Sequence, residues 1–149
     1  MRLEASIEID APPEAVWPIA TNPNLAPQWN SNIVRVVYDG NGEVHAGTTW
    51  IQVLRVLGRE ETMRGEVVEC DPPHRGVVRF QGPGDPVVTT TIGSEGSGSI
   101  LHQVMDLTIP AGLTGMALRV GVPMIKEQLH EALRRQKAAA ETSQSSERI

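Results

Sequence analysis

The segment from Ala111 to Glu141 is the run long enough, and free enough of β-branched clusters, to form a multi-turn helix. It follows about a hundred residues that read mostly as strands. That order restricts the architecture, because a lone long helix buries its apolar stripe only against a sheet built by the residues before it. At about 100° per residue, Leu113, Met116, Ala117, Val120 and Met124 share one face. Past Pro123 the apolar set is Ile125, Leu129, Ala132 and Leu133, displaced by roughly a third to a half of a turn. Proline lacks an N–H and its ring clashes with the preceding turn, so a kink or break near Gly121-Val122-Pro123 is expected. Two roles fit this segment. It closes a core, or its first half, rich in Met, Gly and Ala, also walls a cavity.

The strands announce themselves by alternation. Leu3, Ala5, Ile7 and Ile9 alternate with Arg2, Glu4, Ser6, Glu8 and Asp10, which marks a strand with one buried and one wet face. Asp10-Ala11-Pro12-Pro13-Glu14 stops it and starts a helix, with Asp10 able to accept from orphan N–H groups and Glu14 suited to the positive end of the dipole. Pro18 keeps that helix short, Asn22-Pro23 turns the chain, and Leu25 to Trp29 reads as a second short helix. Six further strands are expected at Ile33–Tyr38, Thr48–Leu57, Glu61–Cys70, Gly76–Gln81, Val87–Ile92 and Ile100–Ile109. Turn-rich links separate them, and Gly93 to Gly98 reads as a flexible hairpin loop. The predicted class is α+β: a seven-stranded, antiparallel curved sheet wrapped around the long C-terminal helix, with two short helices after the first strand. One domain is expected over residues 1–141, followed by a polar, disordered tail at 142–149 (TSQSSERI).

Several function classes are excluded or disfavoured. A chain of 149 residues buries a real core without disulfides or metal. Only 3% of residues are aromatic, so Met, Val, Ile and Leu must fill most of the interior. The net charge of −5 argues against nucleic acid, which needs clustered Lys and Arg. Arg134, Arg135 and Lys137 share their helix with Glu127, Glu131 and Glu141, the pattern of a solvated face. No run reaches the length of a membrane span, and the N-terminus reads as a strand rather than a signal peptide. Cys70 is the single cysteine, so no intramolecular disulfide forms and a reducing, cytoplasmic location is expected.

The usual catalytic signatures are missing. Gly93-Ser94-Glu95-Gly96-Ser97-Gly98 lacks the spacing of a nucleophile elbow, and there is no phosphate loop or dinucleotide fingerprint. His45, His74, His102 and His130 lie on separate elements without metal-ligand spacing, so neither a metal nor a cofactor is expected. Cys70 reads as a small buried hydrophobe rather than a nucleophile.

Several loose motifs, in order, resemble one superfamily. These are Ile7-Glu8-Ile9-Asp10-Ala11-Pro12-Pro13-Glu14-Ala15-Val16-Trp17, then Trp29-Asn30, Gly47-Thr48, Val67-Val68-Glu69-Cys70-Asp71-Pro72-Pro73-His74-Arg75, and Gly98-Ser99. Spanning roughly residues 3–140, the chain is similar to START/Bet v 1-like proteins, in the polyketide cyclase/dehydrase-like branch. The resemblance implies a helix-grip fold with an apolar cavity between the sheet and the C-terminal helix. It further implies binding of lipids, sterols, polyketides or plant hormones, with polyketide cyclisation or dehydration in some members. Pro18 and Pro123 depart from the pattern, so a cavity mouth of different shape is expected.

Strand parity then selects candidate ligand contacts. The resemblance takes Trp50 inward, which places Thr48, Gln52, Leu54 and Val56 with it. Met63, Gly65 and Val67 share a parity on the next strand, and so do Val78 and Phe80. Val88, Thr90 and Ile92 share one on the sixth strand, as do Leu101, Gln103, Met105, Leu107 and Ile109 on the last. With Trp29 as gate or plug, and Met116 and Val120 from the helix, the candidate ligand-binding set is Trp29, Trp50, Gln52, Met63, Phe80, Thr90, Gln103, Met105, Met116 and Val120. Buried Gln52, Thr90 and Gln103 either meet a ligand or satisfy one another. Arg64, Arg79, His102 and Asp106 point outward, so His102 and Arg79 become catalytic candidates only if bulges turn them to the cavity. The expected function is binding of an apolar small molecule, lipid or polyketide-like. The alternative is a cyclase that orients a poly-ketone chain. Ile100 and Val104, on the outward parity, can seed a homodimer contact.

Overall fold

A computed structural model describes residues 1–56 and 58–147, with the side chains of 114, 118 and 144–147 left aside. Leu57, Arg148 and Ile149 lie outside the described residues. The elements run β1 (Arg2–Ile9), α1 (Pro13–Thr21), a 3₁₀ turn (Pro23–Leu25), α2 (Ala26–Trp29), β2 (Ile33–Val37), β3 (Thr49–Val56), β4 (Arg59–Asp71), β5 (Arg75–Gln81), β6 (Val87–Glu95), β7 (Gly98–Asp106) and α3 (Leu113–Glu147). The seven strands form one antiparallel sheet in the order β1-β7-β6-β5-β4-β3-β2. This is the helix-grip fold.

Register explains which residues share the inner face. Leu3, Ala5 and Ile7 sit opposite Met105, Gln103 and Leu101, which in turn sit opposite Val88, Thr90 and Ile92. Residues directly opposite in an antiparallel pair point to the same side, so these rows form one surface. The core lies where β1, β6 and β7 meet α1 and the second half of α3. It contains Leu3, Ile9, Val16, Ile92, Leu101, Leu129 and Leu133. Ser99, 1% exposed, donates its hydroxyl to the Ala11 carbonyl at 2.6 Å and pins the β1–α1 corner to β7.

The structure corrects four local expectations. Gly93 to Gly98 is not a flexible loop: β6 and β7 stay paired through Gly93↔Ile100, Ser94↔Ser99 and Glu95↔Gly98, leaving only Gly96-Ser97 as the turn. β7 ends at Asp106 rather than Ile109, and the backbone of Leu107 bonds to Met1 instead of to another strand. The long helix begins at Leu113, two residues later than Ala111, and continues through Pro123, so of the expected kink or break the break does not occur. Proline removes one bond but leaves the flanking turns intact, and Pro123 is on the exposed side of α3, where water can satisfy the freed carbonyl. Helical backbone also continues past Glu141 to Glu147, where the composition predicts a disordered tail. No Gly or Pro stops it there, and each added residue of a formed helix gains a hydrogen bond.

Candidate functional site

Between the sheet and α3 lies a cavity of about 310 Å³. It exists because α3 packs on β1, α1 and α2 toward one side of the sheet and is not closely packed on β3, β4 and β5. The floor is built across strands. Trp50, Gly65 and Phe80 are aligned in register on β3, β4 and β5. Gly65 is the reason two large rings fit there, since a Cβ at this position would stand 2.7 Å from Trp50 Cε2 and 3.0 Å from Phe80 Cε1. The rings meet edge to face, centroids 5.9 Å apart at 82°, an arrangement favoured by the ring quadrupoles. A second close approach sits at Gly76, where a Cβ would stand 3.2 Å from Trp17 Cη2. The absence of a side chain on β5 thus makes room for an indole reaching over from α1.

Of the ten candidate ligand contacts, Trp29, Trp50, Gln52, Met63, Phe80, Thr90, Gln103 and Met105 line this cavity. Met116 and Val120 do not. They stand 64% and 76% exposed on the outer face of α3, with Leu113 at 84%. The apolar stripes before and after Pro123 are rotated apart, and an unbroken helix can turn only one of them inward. The second stripe wins, so from α3 the lining comes instead from Ile125, Gln128, Leu129, Ala132 and Gln136, joined by Met124, the last residue of the first stripe and still 42% exposed.

The polar groups of the lining are mostly committed to one another. Trp50 Nε1 donates to Gln52 Oε1 at 3.3 Å, and Gln103 Nε2 donates to Thr90 Oγ1 at 3.2 Å. Trp29 Nε1 donates to the Ile19 carbonyl at 3.3 Å, tying α2 to α1 in the manner of a plug. Thr21 Oγ1 donates to the Trp17 carbonyl at 2.7 Å. Gln136 is different. It is 3% exposed, and its Oε1 is buried with no hydrogen-bond partner.

Acid–base chemistry is poorly supplied. His102 stays on the outer face, its Nε2 3.2 Å from Glu4 Oε2, and Arg79 is exposed outside the lining. A bulge between Val67 and Glu69 does reverse parity on β4, and it brings Cys70 to the cavity opposite Gly76. Burial, and then the neighbouring Asp71 carboxylate, push the Cys70 thiol above its ordinary range. Its Sγ donates to the Val44 carbonyl at 3.4 Å, so it is a poor nucleophile at neutral pH. Glu61, on the parity of Met63 and opposite Leu54, is a carboxylate at the cavity that an apolar parity reading passes over. Among the described residues no cluster of His, Cys, Asp and Glu has the geometry of a metal site, and no helix is long and apolar enough to cross a membrane.

Comparison with known proteins agrees with this architecture. The aromatase/cyclase ZhuI from Streptomyces sp. R1128 superposes with a TM-score of 0.78 at 15% identity, over 95% of this chain and 93% of that one. A Thermus thermophilus protein gives 0.77 at 20% identity, over 96% and 99%. A Rhodobacter sphaeroides protein gives 0.68 at 25% identity, over 93% and 91%. No curated protein matches the chain in sequence. The family model described as polyketide cyclase / dehydrase and lipid transport matches residues 1–141. The chain therefore belongs to that family.

Proposed function

We propose that this protein binds a largely apolar small molecule, lipid or polyketide-like, in the cavity between the sheet and α3. One observation carries the reading: the enclosed face presents aromatic and aliphatic walls whose few polar groups are mostly already paired, the composition of a binding pocket rather than of an acid–base site. Trp17, Trp29 and Trp50, all the tryptophans of the chain, line it. Their emission is therefore a direct report of occupancy. Titration with a panel of fatty alcohols, sterols and aromatic polyketides is expected to shift or quench that emission saturably with at least one class. Unchanged emission across the panel would count against the reading.

Glu61 supports a second reading, a cyclase that orients a poly-ketone chain. Glu61 lines the cavity, and its carboxylate would accept a proton from a carbon between two carbonyls while the walls hold the chain for ring closure. Glu61→Gln would then abolish turnover of a poly-β-ketone thioester while leaving its binding intact. Equal turnover by the variant would remove Glu61 from the chemistry.

A further inference from the structure

We infer that Gln136 is the polar anchor of the cavity, and that the ligand carries a hydrogen-bond donor, a hydroxyl, at the end that reaches it. The inference rests on the ligand-cavity reading and narrows the ligand class. Among the described residues five polar side chains are buried: Gln52, Thr90, Ser99, Gln103 and Gln136. The first four make the hydrogen bonds to Trp50, to one another or to Ala11 described above. Polar side chains on the short helices are occupied too, Asn22 Oδ1 accepting from Asn24 N at 3.0 Å and Asn30 Oδ1 from Asn32 N at 2.9 Å. Gln52 and Gln103 each keep one amide end outside these bonds, but among the described residues Gln136 Oε1, a carbonyl oxygen, is the fully buried side-chain atom with no partner. A buried acceptor without a donor is destabilising, so a position that keeps one is a position where a donor arrives from elsewhere.

The helix makes room for that donor. Gln128, Ala132 and Gln136 follow one another at four-residue spacing and all line the cavity, so the small Ala132 opens a gap between two amides about 12 Å apart along the axis. The charge of the lining excludes the other common polar end. Arg55 is the cation there, and it is exposed and 3.6 Å from Glu60. A carboxylate placed against Gln136 could accept from the amide Nε2 but would find no cation to offset the burial of its charge, which is unfavourable in a dry site. An alcohol or phenol satisfies Oε1, an ionised acid is disfavoured by the burial of its charge, and a bare hydrocarbon leaves Oε1 unsatisfied.

The test uses three matched probes, naphthalene, 2-naphthol and 2-naphthoate, with binding to the full chain measured by equilibrium dialysis. The expected result is 2-naphthol binding about tenfold tighter than naphthalene, the worth of one well-made hydrogen bond, with 2-naphthoate weakest. Gln136→Met keeps the length of the side chain and removes both polar atoms. It is expected to erase the preference for naphthol while raising the melting temperature of the ligand-free protein, because the orphaned carbonyl is gone. Gln136→Leu is the second variant, should methionine disturb packing. A naphthol preference that survives both variants, or a wild type that binds naphthol and naphthalene equally, would overturn the anchor and leave the cavity standing. Failure of all three probes to bind, with tryptophan emission unchanged, would overturn the cavity reading itself.

Discussion

The two halves of α3 carry apolar stripes of comparable length and meet opposite fates. Leu113, Met116, Val120 and Met124 stand exposed, while Leu129, Leu133 and Ala140 are buried against β1, α1 and the sheet. The exposed direction is shared along the whole helix, since Glu127, Arg134 and Arg135 continue the line of the first stripe and are likewise exposed. Helical periodicity therefore says that a face is apolar, not which partner it meets. The partner is decided by where the sheet lies. The second half packs on it, and its packing fixes the rotation of the first half.

The largest effect expected from this contrast is in stability. Leu133→Ala, at a position 1% exposed, is expected to cost about 2–5 kcal/mol in urea unfolding. Met116→Ala or Val120→Ala should fall within about 0.5 kcal/mol. Comparable losses in both halves would mean that the first stripe is covered in solution. Pro123→Ala restores a backbone donor inside a continuous helix and should stabilise by up to about 3 kcal/mol, read in the same experiment. A neutral or destabilising result would mean that the helix bends at Pro123. Peroxide oxidation followed by peptide mass analysis should modify Met116 well before Met63, which is 6% exposed. The smallest effect is a pH dependence confined to the buried half. Glu141 Oε2 takes the Lys137 ammonium at 2.7 Å and the Asp10 N–H at 2.8 Å, and these bonds, in that order, hold its carboxyl below the usual range. A group with a lowered folded pKa contributes above its unfolded value and loses that contribution as pH falls through the folded one. Glu141→Gln should flatten the acid limb of stability against pH, by less than about 1 kcal/mol for so exposed a pair.

The fold was legible because strands and helix speak in different periods. Leu3 to Ile9 and Leu101 to Met105 alternate strictly, Ile125 to Leu133 does not, and the turn residues between strands leave little choice of topology. The inner face followed from the same alternation, down to outward His102 and Arg79. What did not follow was anything that depends on a long-range partner. Met116 and Val120 look like cavity walls because they are apolar and periodic, and only the packing of the second half of the continuous helix turns them outward. Gln136 hides as a polar residue on an amphipathic helix, yet it falls at nearly the same angle as Leu129, Leu133 and Ala140. A polar side chain on an otherwise apolar buried stripe was the available signal. Trp17 offered none, because its contact with Gly76 joins residues far apart in the chain.

The central claim is that the space between sheet and helix holds an apolar guest, and native mass spectrometry of the purified chain tests it most directly. The mass should exceed that of the polypeptide by a reproducible adduct, which solvent extraction releases as a neutral, mostly apolar molecule bearing a hydroxyl. A bare mass, joined by no rise in melting temperature with lipids, sterols or aromatic polyketides, would contradict the claim.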